Sequence, residues 1–334
     1  MPAAELPRIA EDARFVRPER LAGAPHVVVD GPRMPGTVLA LSHWRGSGTP
    51  PELAADTSAA IADRYLDAGA AGPPVDALTN NHYDEDGLFA IWLLLERPAR
   101  DAPARRLAVA AGEAGDFATW TDPAAAWCAI AAMALAEPVT SPLPAARAAV
   151  AAADGRDPAG ALYEAVLPEV GPLLDDPERH RPLWGPRWAA VEADMALLDA
   201  GEATIEEAPE ADVAIVRGPR PLVPLAVHPR TERMRVLTVT GDGLLVLTHR
   251  YETWVDYVSR PLAARVDLAP LLPRLQAIEE EPVTWRFEGV EPITPRLFPV
   301  GPNRRIARSG IPPERLVAEL TAVLEAAGAA GPGR

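Results

Sequence analysis

The alternation of two hydrophobic patterns between residues 26 and 135 limits the possible folds most strongly. Short apolar segments at 26–30, 37–42, 75–80 and 107–111 are predicted strands. Between and after them, residues 52–66, 86–95 and 117–135 have apolar side chains at helical spacing. This order is typical of a parallel sheet with helices on both faces, so we predict an α/β fold.

The pattern changes near residue 205. Residues 143–200 have helical spacing without strands, whereas the segments 213–216, 222–227, 235–240 and 244–248 are short and β-rich. Gly241-Asp242-Gly243 between two of them indicates a β-hairpin. The predicted parts of the chain are an N-terminal extension (1–25), an α/β metal-binding domain (26–204) with a helical region (143–200), a smaller α+β domain (205–328) that covers the substrate, and a frayed tail (329–334).

Composition excludes several kinds of function. The chain has 32 basic and 47 acidic residues, a net charge of −15, and every basic residue is an arginine. Without lysine there can be no Schiff-base or P-loop lysine. The acidic balance argues against non-specific binding to nucleic acid or to anionic lipid. The single cysteine, Cys128, excludes an internal disulfide and a cysteine-only zinc site.

The residue usage and the N-terminal segment suggest where the protein works. The excess of alanine, arginine and proline is typical of a high-GC bacterial genome, so rare residue types carry more information here. Residues 1–30 carry charges throughout and lack the apolar region of a signal peptide. No apolar stretch approaches the roughly 20 residues that span a bilayer. We therefore expect a cytoplasmic protein with no membrane association, and the oligomeric state stays open.

The segment TNNHYDEDGL at 79–88 carries the strongest chemical signal. His82, Asp84 and Asp86 alternate, and alternate residues of an extended segment face the same side. One imidazole with two carboxylates suits a divalent ion such as Mn²⁺, Mg²⁺ or Zn²⁺. Gly87 then permits a sharp turn into an apolar helix.

Three interpretations of this segment compete. The first is a polar loop in which Asp84 or Asp86 caps the following helix. The second is an EF-hand calcium loop; Gly87 would be its sixth residue, but histidine would be its first ligand and Leu93 would stand at the twelfth position. The third is a catalytic metal centre at the carboxyl ends of the strands, where parallel sheets bind their ligands.

The strand–His-x-Asp-x-Asp-Gly–helix pattern resembles the first motif of the DHH phosphoesterase superfamily. The resemblance implies that His82 and Asp84 hold one metal, commonly Mn²⁺, that Asp86 serves a second one, and that an aspartate from the next strand bridges the two. Asp116, after the predicted strand at 107–111, is the expected bridging residue, with Glu113 as the reserve. The matching pattern itself spans residues 82–87, and with its flanking residues the resemblance covers about ten residues.

The chain also departs from that family. It contains no Asp-His-His run and no glycine-rich histidine motif, and a strand–loop–helix unit at 37–66 precedes the motif. The missing ligand must therefore come from elsewhere. We expect His43, at the end of the neighbouring predicted strand, to replace it, and His180 is the next choice.

These residues predict a metal-dependent hydrolase of a phosphoester or phosphoanhydride, with a small phosphorylated or nucleotide substrate. Asp84, Asp86 and His43 are the expected catalytic residues, and one or two divalent ions, most plausibly Mn²⁺, the expected cofactor. The residues expected to bind the substrate are Asn81, His249, Arg250 and Arg260. The alternatives are a metal- or ligand-binding protein without catalysis on a degenerate fold of this kind, and an interaction scaffold without metal. For the aromatic and arginine-rich segment 248–260, packing between domains is the competing interpretation.

Overall fold

The computed structural model describes residues 5–153, 157–262 and 265–329 and divides into two compact units. Unit 1 comprises Met1–Ala189 and Val255–Pro261, and unit 2 comprises Ala190–Trp254 and Leu262–Arg334. The division therefore falls at residues 189 and 190 and not near 205. Residues 255–261, expected in the second domain, belong to unit 1. The predicted tail lies, apart from residue 329, outside the described residues.

A four-stranded parallel sheet forms the centre of unit 1. Its strands are β1 (Arg8–Phe15), β2 (His26–Val29), β3 (Thr37–Leu41) and β4 (Pro74–Thr79), in the order β1-β4-β2-β3. The last three confirm the predicted strands. The prediction of a loose extension at 1–25 is wrong for β1, which pairs with β4 at the edge of the sheet. As an edge strand it buries only Ile9, so it lacks an apolar pattern that the sequence could reveal.

The described part of unit 1 also contains α-helices, most of which come after the last strand of the sheet. They are α1 (Ser58–Asp67), α2 (Glu85–Glu96), α3 (Pro103–Phe117), α4 (Pro123–Ala136), α5 (Pro144–Ala152), α6 (Ala159–Asp175) and α7 (Arg181–Asp199), of which α7 continues past the unit boundary. The predicted strand at 107–111 is wrong, because these residues lie inside α3. Its sequence, LAVAA, is rich in alanine, the best helix former, and Pro103 starts the helix in the first turn, where proline is favoured.

Most of helix α2 is buried inside unit 1. Every residue from Asp86 to Leu94 is buried, and the helix packs against both α1 and α3. A helix that is apolar all round is typical of a protein core. Asp84 caps its first turn by accepting a hydrogen bond of 2.9 Å from the Gly87 N–H, as the first interpretation of this segment predicted.

Unit 2 contains a mixed six-stranded sheet. Its strands are β5 (Thr204–Ala208), β6 (Val213–Gly218), β7 (Arg235–Thr240), β8 (Leu245–His249), β9 (Thr284–Phe287) and β10 (Arg296–Val300), in the order β5-β6-β7-β8-β10-β9. Only β6 and β7 pair in parallel, and the predicted hairpin at 241–243 joins the antiparallel strands β7 and β8. The predicted class, a parallel α/β part followed by an α+β part, is confirmed.

Besides the end of α7, the described residues of unit 2 form the helices α8 (Pro224–Val227), α9 (Leu271–Ile278) and α10 (Pro313–Ala329). Leu271 of α9 and Leu316 of α10 share a core with Leu237 and Leu247 of the sheet. The β-rich interpretation of 222–227 is wrong, because Pro224 opens the short helix α8 there. Across the described ranges of both units, no helix has the length and apolarity needed to cross a membrane.

Candidate metal centre

Two histidines and four aspartates gather at the carboxyl ends of β2, β3 and β4. The strands are parallel, so their carboxyl ends meet at one edge of the sheet. The six side chains come from the residues just after β2, β3 and β4 and from the first turn of α2 and the last turn of α3: Asp30, His43, His82, Asp84, Asp86 and Asp116.

Asp30, His43 and Asp86 form what we term the inner triad. The Nε2 atom of His43 lies 3.3 Å from Asp30 Oδ1 and 3.8 Å from Asp86 Oδ2. All three side chains are fully buried. One ligand atom from each residue falls within 4.8 Å of the others, which is close enough for all three to hold one ion.

Asp30, His82 and Asp84 form the outer triad. The Nε2 atom of His82 lies 3.2 Å from Asp30 Oδ2 and 2.6 Å from Asp84 Oδ2. The side chains of His82 and Asp84 are 27% and 21% exposed, so solvent reaches this triad. Its ligand atoms also fall within 4.8 Å of one another.

Asp30 belongs to both triads, and it is not among the site residues predicted from the sequence. It presents one carboxylate oxygen to His43 and the other to His82. Its φ of 51° lies in the left-handed region, which aspartate tolerates better than most residues. The available signal was a lone charged residue directly after the apolar strand, before Gly31 and Pro32.

Asp30 thus stands between the two histidines, where the sequence suggested Asp116 as the shared carboxylate. Asp116 approaches the inner triad, with its Oδ2 atom 3.3 Å from His43 Nε2. Among the described residues, this buried oxygen has no hydrogen-bond partner. Asp116 reaches the cluster from helix α3 and not from a strand, whereas Glu113, the reserve, is exposed.

Backbone amides of α1 fix the carboxylate of Asp86. The Ser58 N–H donates to Oδ2 at 2.6 Å and the Ala59 N–H donates to Oδ1 at 2.8 Å. These amides are at the start of α1, where the positive end of the helix dipole favours a negative charge. On its other side, Asp86 packs so closely on Gly112 that a Cβ atom there would lie 2.6 Å from Oδ1.

The ring of His43 is oriented by a backbone atom that lies just before α1. Its Nδ1 atom lies 2.6 Å from the carbonyl oxygen of Asp56, which can only accept, so Nδ1 carries a proton. Whenever the ring is neutral, it therefore presents the lone pair of Nε2 to Asp30, Asp86 and Asp116. Such a hydrogen bond to the second nitrogen is the usual arrangement for a metal-binding histidine.

Burial and close charges perturb the pKa values of the cluster. Burial would lower the pKa of His43, but the hydrogen bond to Asp30 and nearby carboxylates raise it to about 9. For His82, Asp30 and Asp84 outweigh burial and raise the pKa to about 11.

Among the carboxylates, burial and the charge of Asp30 raise the pKa of Asp86 to about 7. Burial and the charge of Asp86 raise the pKa of Asp116 well above its usual value. For Asp30, the hydrogen bonds to the two histidines outweigh burial, and its pKa falls. Four carboxylates thus share two imidazoles, a donor set that suits divalent cations.

The remaining predicted residues have different surroundings. Asn81 is exposed, with Oδ1 3.3 Å from His82 Nδ1. Arg260 is in unit 1, with its guanidinium 6.0 Å from the centre of the Tyr257 ring. His249 and Arg250 are buried in unit 2, and Arg250 pairs with Glu252. Their burial favours packing over substrate binding. His180 lies in the 3₁₀ helix Pro177–His180, outside both triads.

The family comparison covers nearly the whole chain. A family model described as a family of unknown function, DUF6687, matches residues 11–331. The chain belongs to DUF6687. No curated protein and no solved structure matches the chain. The DUF6687 model spans both units, including the segments that carry the six clustered side chains.

Proposed function

We propose that this chain is a metal-dependent hydrolase of phosphoesters or phosphoanhydrides. The observation that supports this proposal best is the sharing of Asp30 by the inner and outer triads. A carboxylate that gives one oxygen to each of two ions holds them a short distance apart, and two-metal hydrolases use ions about 3.5–4 Å apart. The partial resemblance of residues 82–87 to the DHH phosphoesterases points to the same chemistry and to Mn²⁺.

The residues have separate roles in this proposal. Asp30 would bridge the ions, His82 and Asp84 would complete the outer site, and His43 and Asp86 the inner one, with Asp116 beside them. Bound ions of this kind lower the pKa of a water molecule and polarise a phosphoryl oxygen. Only the outer triad is reached by solvent, so substrate would approach from the side of His82 and Asp84.

Two side chains of unit 1 are suited to bind the substrate. Asn81 is exposed next to His82 and can donate hydrogen bonds to a phosphoryl oxygen. Arg260 offers the fork of donors that matches a phosphate, and the chain has no lysine to do this instead. We therefore propose a small phosphorylated or nucleotide substrate.

The test compares the wild type with Asp30→Asn, which keeps the volume of the side chain and removes its charge. Protein equilibrated with Mn²⁺ is freed of loose metal, its bound metal is counted, and hydrolysis of bis(4-nitrophenyl) phosphate and of a dinucleotide is followed. We expect the wild type to bind two Mn²⁺ ions and to hydrolyse these substrates. We expect Asp30→Asn to lose the bound ions and the hydrolysis. Asp101→Asn, at an exposed loop position, is the matched control and should behave like the wild type.

A second function is favoured by one observation: the side chains of the inner triad are completely buried. An ion there would be shielded from substrate, as in a protein that binds metal without catalysis. Two bound Mn²⁺ ions without turnover of either substrate would support this alternative. A wild type that binds no stoichiometric metal would contradict both functions.

A further inference from the structure

We propose that Asp56 is a positioning residue, which aligns His43 for metal binding by fastening residues 255–261 to the loop that carries this histidine. The inference rests on the proposed metal centre and adds a residue that belongs to neither triad but contacts the ring of His43. It also gives a role to the part of segment 248–260 that belongs to unit 1.

The backbone carbonyl of Asp56 contacts the ring of His43. The Asp56 carbonyl oxygen accepts the hydrogen bond from His43 Nδ1 at 2.6 Å. This bond sets the ring orientation and leaves Nε2 directed at Asp30 and Asp116, each 3.3 Å away. A shift of the Asp56 backbone would therefore rotate or release the ligand nitrogen.

The side chain of Asp56 contacts residues 255–261. The Oδ1 atom of Asp56 accepts two backbone hydrogen bonds, from the N–H groups of Val258 at 2.7 Å and of Ser259 at 2.9 Å. Hydrogen bonds to a carboxylate are about twice as strong as neutral ones, so the pair fixes both partners. Asp56 thus joins the ring of His43, through its carbonyl, to this segment, through its side chain.

Residues 255–261 also contact the backbone of the loop that carries His43. The Asp256 N–H donates to the carbonyl oxygen of His43 at 2.8 Å, and Val255 forms an antiparallel bridge with Trp44. Residues 255–261 therefore hold the backbone of His43 directly and its ring through Asp56. Neither contact depends on a bound ion, so the geometry of the inner triad is set before metal arrives.

Loss of the Asp56 carboxylate should weaken the inner ion selectively. Removing an outer partner of a metal ligand typically lowers metal affinity by roughly 10–100-fold. We expect a loss of this size for one of the two Mn²⁺ ions in Asp56→Ala, while the ion at His82 and Asp84 binds as in the wild type. The outer triad should be spared because no contact of Asp56 reaches it.

The experiment combines Mn²⁺ titration, electron paramagnetic resonance and amide hydrogen exchange on the full chain. Asp56→Ala and Asp56→Ser should lose the inner ion, replace the coupled Mn²⁺ pair signal by that of isolated ions, and exchange the Val258 and Ser259 amides faster. Serine is included because it stays polar but is too short to reach both amides. Asp56→Asn, which keeps an acceptor, should restore most of the affinity, and Asp101→Ala should match the wild type.

Each result decides one point. Faster amide exchange with unchanged affinity for both ions would overturn the positioning role and leave the metal centre standing. A wild type without bound Mn²⁺ would contradict the proposed function itself, before any variant is compared. If neither Asp56→Ala nor Asp56→Ser folded, Asp56 would be needed for the fold as such, and the positioning role would be rejected.

Discussion

The replacement Gly112→Ala should destabilise the protein and empty the inner site, although alanine is the better helix former. Gly112 lies in α3 where this helix meets the first turn of α2. An added Cβ would lie 2.6 Å from Asp86 Oδ1 and 2.9 Å from the Ala59 Cβ. The carboxylate of Asp86 cannot simply turn away, because two amides of α1 hold both of its oxygens.

The expected losses in the free energy of unfolding are larger than the expected gain. Alanine in place of glycine inside a helix gains about 1 kcal/mol. Overpacking a well-packed interior costs about 1–3 kcal/mol, and loss of one hydrogen bond to a charged group costs about 1.5–3 kcal/mol. We therefore expect a net loss of about 1.5–5 kcal/mol in the free energy of unfolding, together with loss of one Mn²⁺ ion.

Urea denaturation and metal counting provide the measurement, and Gly171→Ala provides the control. Gly171 lies in α6 before Pro172, and outside its own helix and chain neighbours a Cβ there would meet only Trp92 Nε1, at an ordinary 3.7 Å. The control should keep both ions and stay within about 1 kcal/mol of the wild-type stability, because crowding against Pro172 offsets the helix gain of alanine. If Gly112→Ala were as stable as Gly171→Ala and bound as much metal, the close packing of α3 on Asp86 would not be real.

Three further predictions follow from the same structure. His82→Ala should lose the outer ion while His180→Ala keeps both, which metal counting tests; loss of an ion in His180→Ala would return this residue to the ligand set. The folded protein raises the pKa values of His43 and His82 above 6.5, to about 9 and about 11. The stability that these protonated histidines give the metal-free protein should therefore be complete below about pH 6.5 and lost as the pH rises through those two values. The urea midpoint of the wild type should fall at alkaline pH, and that of His82→Gln should fall less. Arg250→Ala should cost about 3–5 kcal/mol of stability, because it leaves the buried Glu252 without this cation, and an unchanged urea midpoint would contradict the packing role of the pair.

Local patterns predicted the motif and its strands because the determinants are adjacent in the chain. Strands β2, β3 and β4 are short apolar segments, and residues 82–87 carry alternating ligands next to a glycine. The helix cap at Asp84 is observed, and it leaves the second carboxylate oxygen available for the metal-ligand role that stays a prediction. Its Oδ1 atom caps α2, and its Oδ2 atom faces His82.

Helix α3 shows where local patterns fail. Five small apolar residues in a row suit a buried strand and a buried helix equally, and only the neighbouring elements decide. Asp116 nevertheless reaches the cluster, since it follows Gly112 by four residues and shares the face of α3 that packs on the start of α2. The structure places Asp116 beside the cluster, as expected, but on a helix and not after a strand, and its bridging role stays a prediction.

Asp30 could not be assigned from the sequence, because its role follows from the order of strands in the sheet. β2 lies between β3 and β4 in space, although β4 is the last of the three in the chain. The residue after the middle strand therefore stands between His43, after β3, and the His82–Asp86 segment, after β4. Any side chain at that point that offers two oxygens is placed to serve both sides, so the shared ligand is specified by topology.

The charge of the cluster gives an independent reason to expect cations there. Four carboxylates surround two imidazoles, so even with both rings protonated the ionised cluster keeps an excess of negative charge in a largely buried place. Unpaired charge of that kind is costly away from water. The metal-free protein lowers this cost by binding protons, which is why the pKa values of Asp86 and Asp116 are raised. Divalent cations would supply the same neutralisation and release those protons, so under the proposed function metal and proton would compete at Asp86 and Asp116.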